Sequence, residues 1–356
     1  MEHGRLIEAL TRQGAYCEGR SPLYAEVLKA LAEDAAEAPA WVEALQAAWA
    51  KRRFAVDWEA AHLLMAGLHY WALRGEAEEL AAVYPSCGGR GFDAGGAARA
   101  FLRRAPAAFW EQLREATVQT NEVDRSVAWM VAAVSLFGER PFHLVELGTS
   151  AGLNLIGDHL PHECRFLAES GQPAAPPPRW ARSPHPVITR TGLDLNPRRV
   201  AEPADRLWLK ACVWADDSAR LERLERALEI FLRLAPRAEG PRLVRCAFAQ
   251  APEWLAAHRP PAPGEALLVF NSIATVYLDD AAYAALRDGM ARTLGAWGGR
   301  AAWVEYERPR SAPAAPLELA IHRPAAGGAL DTQVIASGGP RPQELRLRRS
   351  GELCAA

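Results

Sequence analysis

From residue 142 onward, short apolar runs alternate with stretches of helical periodicity, and that alternation limits the fold more than any other feature. The runs are Phe142 to Leu147, Val187 to Leu193, Arg242 to Cys246, Leu267 to Phe270 and Ala302 to Tyr306. Between them, Ala151 to Leu160, Ser218 to Leu234, Glu253 to His258 and Asp279 to Leu294 read as helices. Leu221, Leu224, Leu228 and Phe231 share one helical face, and Asp279 is placed as a cap. This order predicts a parallel sheet with helices on both faces. Leu317 to His322, Thr332 to Ala336 and Glu344 to Arg348 read as strands without helices between them, so a terminal antiparallel hairpin is expected. Arg346-Leu347-Arg348-Arg349 fits a strand with one solvated face.

The chain before Pro141 shows helical periodicity and no strand signal. Ser21-Pro22 makes an N-cap followed by proline at the first helical position, and Leu23, Val27, Leu28 and Leu31 then form one apolar face. Trp58 to Leu73, Ala97 to Arg104, Pro106 to Thr117 and Val123 to Phe137 read as further helices, with a break at Tyr84 to Gly89. The expected organisation is an all-helical region at 1–140, capping a pocket, and an α/β domain at 141–356. The segment 161–186, with Pro176-Pro177-Pro178, reads as a surface insertion.

The 356 residues are half hydrophobic, enough for a sizeable core, and the net charge of −2 offers no electrostatic reason to bind nucleic acid or membrane lipid. No apolar run reaches the roughly 18 residues of a membrane span. The six cysteines include no C-x-x-C pair. A cytoplasmic protein with a small-molecule substrate is the expectation.

The loop after the first strand is Glu146-Leu147-Gly148-Thr149-Ser150-Ala151-Gly152-Leu153-Asn154. Glycine at 148 can turn without a Cβ penalty, and glycine at 152 permits a close approach by a ligand or helix. Helix-start amides would favour a polar or anionic ligand group. The G-x-G-x-x-G fingerprint of dinucleotide sites is absent. Gly148 to Gly152 also spells G-x-S-x-G, a nucleophile elbow, with Ser150 as nucleophile and His258 or His322 downstream. Against a serine hydrolase, no earlier strand is expected to supply an oxyanion loop.

The loop resembles the first motif of class I S-adenosylmethionine-dependent methyltransferases. That resemblance implies a Rossmann-like sheet in which Glu146, Gly148, Thr149, Ser150, Gly152 and Asn154 cradle the cofactor. It also implies that Asp194, in Gly192-Leu193-Asp194-Leu195-Asn196-Pro197, binds the ribose with Asn196 beside it. More widely, Ser21 to Ala25, Tyr84-Pro85-Ser86, Val118 to Val123, Glu146 to Leu155, Gly192 to Pro197 and Asp205 to Leu209 resemble, in order, an uncharacterised bacterial family (DUF 2332). The family usually has Gly-Asp after the third parallel strand. Here Ala249-Gln250 stands there, so Gln250 keeps hydrogen-bonding capacity near the expected adenine but not charge.

The resemblance implies no substrate. Candidates for the chemistry are Glu122 as base and Asn121 as a hydrogen-bonding contact, in the polar run Gln119-Thr120-Asn121-Glu122. Arg125 could hold a substrate carboxylate. Asn271 and Tyr277 follow the fourth strand, where ligands gather in open α/β sheets. The readings are a methyltransferase using S-adenosylmethionine, a cofactor-binding protein of the same fold without catalysis, or a hydrolase using Ser150.

Overall fold

The computed structural model describes residues 1–119, 122–177 and 179–348. Two compact units emerge: residues 1–120 with 201–225, and residues 121–200 with 226–356.

The first unit is helical. It contains α1 (His3–Cys17), α2 (Pro22–Ala36), α3 (Ala40–Ala48), α4 (Glu59–Leu73), α5 (Glu78–Ala81), α6 (Ala94–Arg104) and α7 (Ala107–Glu115). Ser21 caps α2 as expected: its Oγ accepts from Tyr24 N at 3.1 Å and donates to Asp216 at 2.7 Å. The core gathers Leu10, Val27, Leu31, Trp41, Trp49, Leu64, Phe109 and Trp208.

In the second unit, α8 (Ser126–Phe137) precedes β1 (Phe142–Leu147), β2 (Arg165–Leu167) and β3 (Val187–Asp194). Chain 201–225, in the first unit, carries α9 (Pro203–Ala211) and the start of α10 (Ser218–Leu234). Then come β4 (Pro241–Arg245), α11 (Ala251–His258), β5 (Ala266–Ser272), α12 (Asp280–Gly295), β6 (Ala301–Glu307), β7 (Leu317–Pro324), β8 (Leu330–Gly338) and β9 (Glu344–Leu347). Asp279 caps α12 through Ala282 N at 2.8 Å.

Among the described residues the sheet has nine strands, in the order β2-β9-β8-β7-β6-β5-β1-β3-β4. Strands β4, β3, β1, β5 and β6 run parallel, and β7, β8 and β9 are antiparallel to their predecessors. Side-chain alternation divides the core into two layers. Phe142, Leu144, Leu268, Phe270 and Val304 pack with Trp129 and Val131 of α8 on one face. Val145, Leu147, Val269 and Trp303 pack with Leu255 of α11 and Met290 of α12 on the other.

Several expectations need correction. Helix α8 falls within the expected N-terminal region 1–140, yet its buried side chains belong to the sheet core. Instead of an α-helix, Ala151 to Leu160 is a 3-10 segment over Leu153–His159, with non-helical Ile156 inside it. The insertion is not purely superficial: Phe166 and Trp180 are buried, and β2 pairs with β9 at the sheet's far edge. The three expected C-terminal strands do form and are antiparallel, as a continuous three-stranded run β7-β8-β9 and not a single hairpin.

Candidate functional site

Glu146 is the penultimate residue of β1; its side chain lies on the α8 face and is 3% exposed. Its Oε2 accepts from Thr149 Oγ1 at 2.6 Å and its Oε1 from Asn154 Nδ2 at 3.1 Å. Burial pushes its pKa up from 4.5 to about 8, against the pull of these two donors. Nearby Asp194 pushes the same way and Arg125 opposes it. Arg125 is 7% exposed and donates from Nε to Pro340 O at 2.9 Å. Asn154 Oδ1 is buried without a hydrogen-bond partner.

The loop beyond β1 turns through left-handed backbone at Gly148 (φ 70°), Ser150 (φ 52°) and Gly152 (φ 73°). The two glycines also answer to packing. A Cβ at Gly152 would stand 2.7 Å from Leu243 Cδ2, and one at Gly148 would stand 2.7 Å from Ala274 Cβ. The close approach at Gly152 is therefore by a core side chain. Because a short kinked 3-10 segment follows, the expected helix-start field does not form there.

Asp194 ends β3, the neighbour of β1. Its Oδ2 accepts from Ser150 N at 2.8 Å, and its Oδ1 accepts from Asn196 N at 2.8 Å. The carboxylate thus closes its own turn and ties the loop of β1 to the end of β3. It remains part-exposed, and each oxygen has a second lone pair available. Leu195, next in the chain, is 59% exposed and offers an apolar surface.

The 3-10 segment is anchored from beneath. Arg190 of β3 pairs bidentately with Asp158, with Nη1 to Oδ1 at 2.8 Å and Nη2 to Oδ2 at 2.7 Å. Asp158 also accepts from His185 N at 2.8 Å, and Trp129 Nε1 donates to Asn154 O at 2.8 Å.

The other expected residues scatter. Glu122 is 1% exposed and ion-pairs with Arg341 at 3.5 Å, and Asn121 lies outside the described residues. Gln250 is exposed, and its Oε1 accepts from Ala247 N at 3.3 Å, capping its own turn. Tyr277 is 44% exposed. Asn271 is fully buried on the opposite face from Glu146. Its Nδ2 donates to Glu305 Oε1 at 3.2 Å and Glu307 Oε1 at 2.8 Å, and its Oδ1 accepts from Trp303 Nε1 at 2.6 Å.

Sequence reasoning missed the polar network around Asn271. Glu305 Oε2 accepts from Tyr283 Oη at 2.7 Å and faces His322 Nε2 at 2.9 Å; His322 Nδ1 faces Thr332 Oγ1 at 2.8 Å. A signal was present: Glu305 and Glu307 continue the strand face begun by Ala301 and Trp303, where unpaired acids are costly.

The two histidines expected as partners of Ser150 are engaged elsewhere. His258 stacks on Trp254 at 4.5 Å with Nδ1 on Trp254 O, and His322 is held by Glu305 and Thr332. Ser126, His162 and Asp124 superficially resemble a triad. Yet Ser126 Oγ donates to Val123 O at 2.6 Å, and His162 Nε2 sits 2.7 Å from Gly157 O, which requires that nitrogen to be a donor.

A family model described as an uncharacterized protein conserved in bacteria (DUF2332) matches residues 7–348. The chain belongs to this family. Neither a curated protein nor a solved structure matches it. No helix among the described residues is long and apolar enough to cross a membrane.

Proposed function

We propose that this member of DUF2332 is a class I, S-adenosylmethionine-dependent methyltransferase with a Rossmann-like sheet, acting on a small molecule. One observation carries the reading. Strand order reverses between β1 and β5, and on the β3 side of β1 the Ser150 N to Asp194 Oδ2 bond ties the loop that follows β1 to the end of β3. In open α/β sheets the crevice at such a reversal receives the ligand.

The residues fit the cofactor. Asp194 retains lone pairs for two ribose hydroxyls, and Leu195 provides an apolar face for a base beside it. Asn154 Oδ1, buried and unbonded, suits a donor such as an ammonium group near Glu146. Arg125 adds positive charge on the same side. When bound, S-adenosylmethionine supplies an electrophilic methyl carbon on sulfonium. The chain's task is then to orient the acceptor and exclude water.

Calorimetry with S-adenosylmethionine and S-adenosylhomocysteine tests the reading. The native chain should bind at sub-millimolar concentration. Asp194→Ala should weaken binding by about 10- to 100-fold through loss of charge-assisted hydrogen bonds. No binding by a folded native chain at millimolar ligand sinks the proposal. The self-capped Gln250 favours a second reading, cofactor binding without turnover. Methyl transfer from labelled cofactor into a metabolite extract, lost in Asp194→Ala, separates the two.

A further inference from the structure

The carboxyl edge of β6 carries an acid that the cofactor cradle does not use. Glu307 Oε1 is held by three donors: Asn271 Nδ2 at 2.8 Å, Ala274 N at 2.7 Å and Thr275 N at 3.1 Å. Its other oxygen, Oε2, is bonded by no described residue and is not among the buried unpartnered atoms. One oxygen is fixed and the other is open, which is the arrangement of an oriented proton acceptor. Ala274, which donates to Glu307, also lies against Gly148. Two strand spacings, roughly 10 Å, separate β1 from β6 along this edge.

The turn that grips Glu307 exposes Val276 (40%) and Tyr277 (44%), side chains suited to a flat apolar ligand. Arg310 bonds Thr275 O at 3.2 Å and Leu278 O at 2.9 Å in the same turn and pairs with Asp280 at 2.6 Å, so its charge is matched and it serves to hold the turn. Glu307 and Glu305 disfavour a carboxylate. An open carboxylate oxygen beside an exposed apolar turn fits a neutral hydroxyl on an aromatic ring.

We propose that Glu307 accepts the proton of a phenolic substrate seated against the Val276–Tyr277 turn, a role that rests on the methyltransferase reading and names its substrate class. The substrate O–H bond breaks, its electron pair stays on the phenolic oxygen, and the proton passes to Glu307 Oε2. Burial and neighbouring Glu305 raise the Glu307 pKa to about 7, so the group is poised near neutrality. The groups facing it are Asn271 of β5 and Glu305 of β6. Beyond Glu305 lie Tyr283 and Arg287 of α12 and His322 of β7.

The test compares phenol with anisole, which lacks the hydroxyl, on the full chain by ligand-observed NMR. At pH 8 phenol should bind about tenfold tighter than anisole, as expected for a hydrogen bond to a charged acceptor. The preference should shrink as pH falls through about 7, where Glu307 takes up its proton. Glu307→Gln retains an Oε1 acceptor for the three donors and should abolish both the preference and its pH dependence. Should that variant fail to fold, the native carboxyl resonance of Glu307 serves instead. Saturating phenol should lower its titration midpoint by about one unit, and anisole should leave it unmoved. Equal affinities at pH 8, an unchanged midpoint or a Glu307→Gln protein that keeps the pH dependence overturns the proposal. S-adenosylhomocysteine binding, measured in parallel, reports on the underlying reading: its absence with an intact phenol preference defeats that reading alone, and the reverse result defeats this one.

Discussion

Replacing Glu146 with Gln should make the protein more stable in mild alkali and remove a pH dependence that the native chain carries. The Glu146 carboxyl has a pKa raised from 4.5 to about 8, chiefly by burial. Above pH 4.5 the unfolded chain ionises this group while the folded chain keeps its proton. The folded state therefore binds the extra proton, and stability falls as pH rises until the folded value is passed. At 1.36 kcal/mol per unit, the shift corresponds to about 5 kcal/mol across the window. The side chain is 3% exposed, so solvent screening removes little of this.

The interval from pH 7 to 8 isolates the effect. His62 and His69, lowered from 6.5 to about 4, add stability as pH rises toward 6.5, the opposite sign, and are silent above it. The Glu307 contribution, of the same sign as that of Glu146, is mostly spent above about 7. Between 7 and 8 the native chain should lose about 1 kcal/mol, a fall in Tm of roughly 1–2 °C for a chain of 356 residues. In the variant, Oε1 of Gln accepts from Thr149, and its amide can donate to Asn154 Oδ1, which is otherwise unbonded. Thermal melts by circular dichroism at constant ionic strength should show a falling native Tm and a flat variant. A native Tm that holds or rises over this interval, or a variant that falls in parallel, refutes the reasoning.

Asp158→Asn strands the Arg190 guanidinium, whose side chain is 4% exposed, and should cost about 3–5 kcal/mol in urea unfolding; a loss below 1 kcal/mol would mean the pair is not buried as described. Gly152→Ala combines a φ of 73° with a Cβ 2.7 Å from Leu243, so a destabilisation of about 1–3 kcal/mol is expected, and an unchanged urea midpoint would show that the loop relaxes freely. Ser21→Ala removes the cap of α2 and the donor to Asp216 and should cost about 1–2 kcal/mol, read by hydrogen exchange at Tyr24 and Ala25; unchanged protection there would deny the cap its role.

Most of the sheet was legible because its strands are short apolar runs punctuated by Pro, Gly and amphipathic helices. The expected Phe142–Leu147 strand matches β1 to the residue, and the later strands differ by one or two residues at their ends. Errors arose where distant contacts overrule local pattern. Strand β2 is three residues long in a Pro-rich stretch, and only its pairing to β9, far along the chain, makes it a strand. Leu153 to His159 has helical composition, but Asp158 is pulled onto Arg190, and Ile156 leaves helical geometry. Helix α8 is apolar on nearly every side, which marks a buried helix without saying in which core.

The site was legible only as a loop. Glu146, Thr149, Asn154 and Asp194 are readable because they sit within or in register with one motif, and Glu146 bonds Thr149 and Asn154 while Asp194 bonds the same loop at Ser150. Glu305, Glu307, Tyr283 and His322 come from three elements, and no spacing rule joins residues of α12, β6 and β7. Their one local trace was polarity on the inward face of β6. Such residues break the apolar pattern of a buried strand, and the fold tolerates them by assigning every acid a donor: Asn271, Tyr283, His322 and the amides of Ala274 and Thr275. Glu305 is satisfied on both oxygens, which marks a structural element. Glu307 is satisfied on one and open on the other. That asymmetry makes Glu307, of the acids on this face, the one whose substitution should alter ligand binding more than stability.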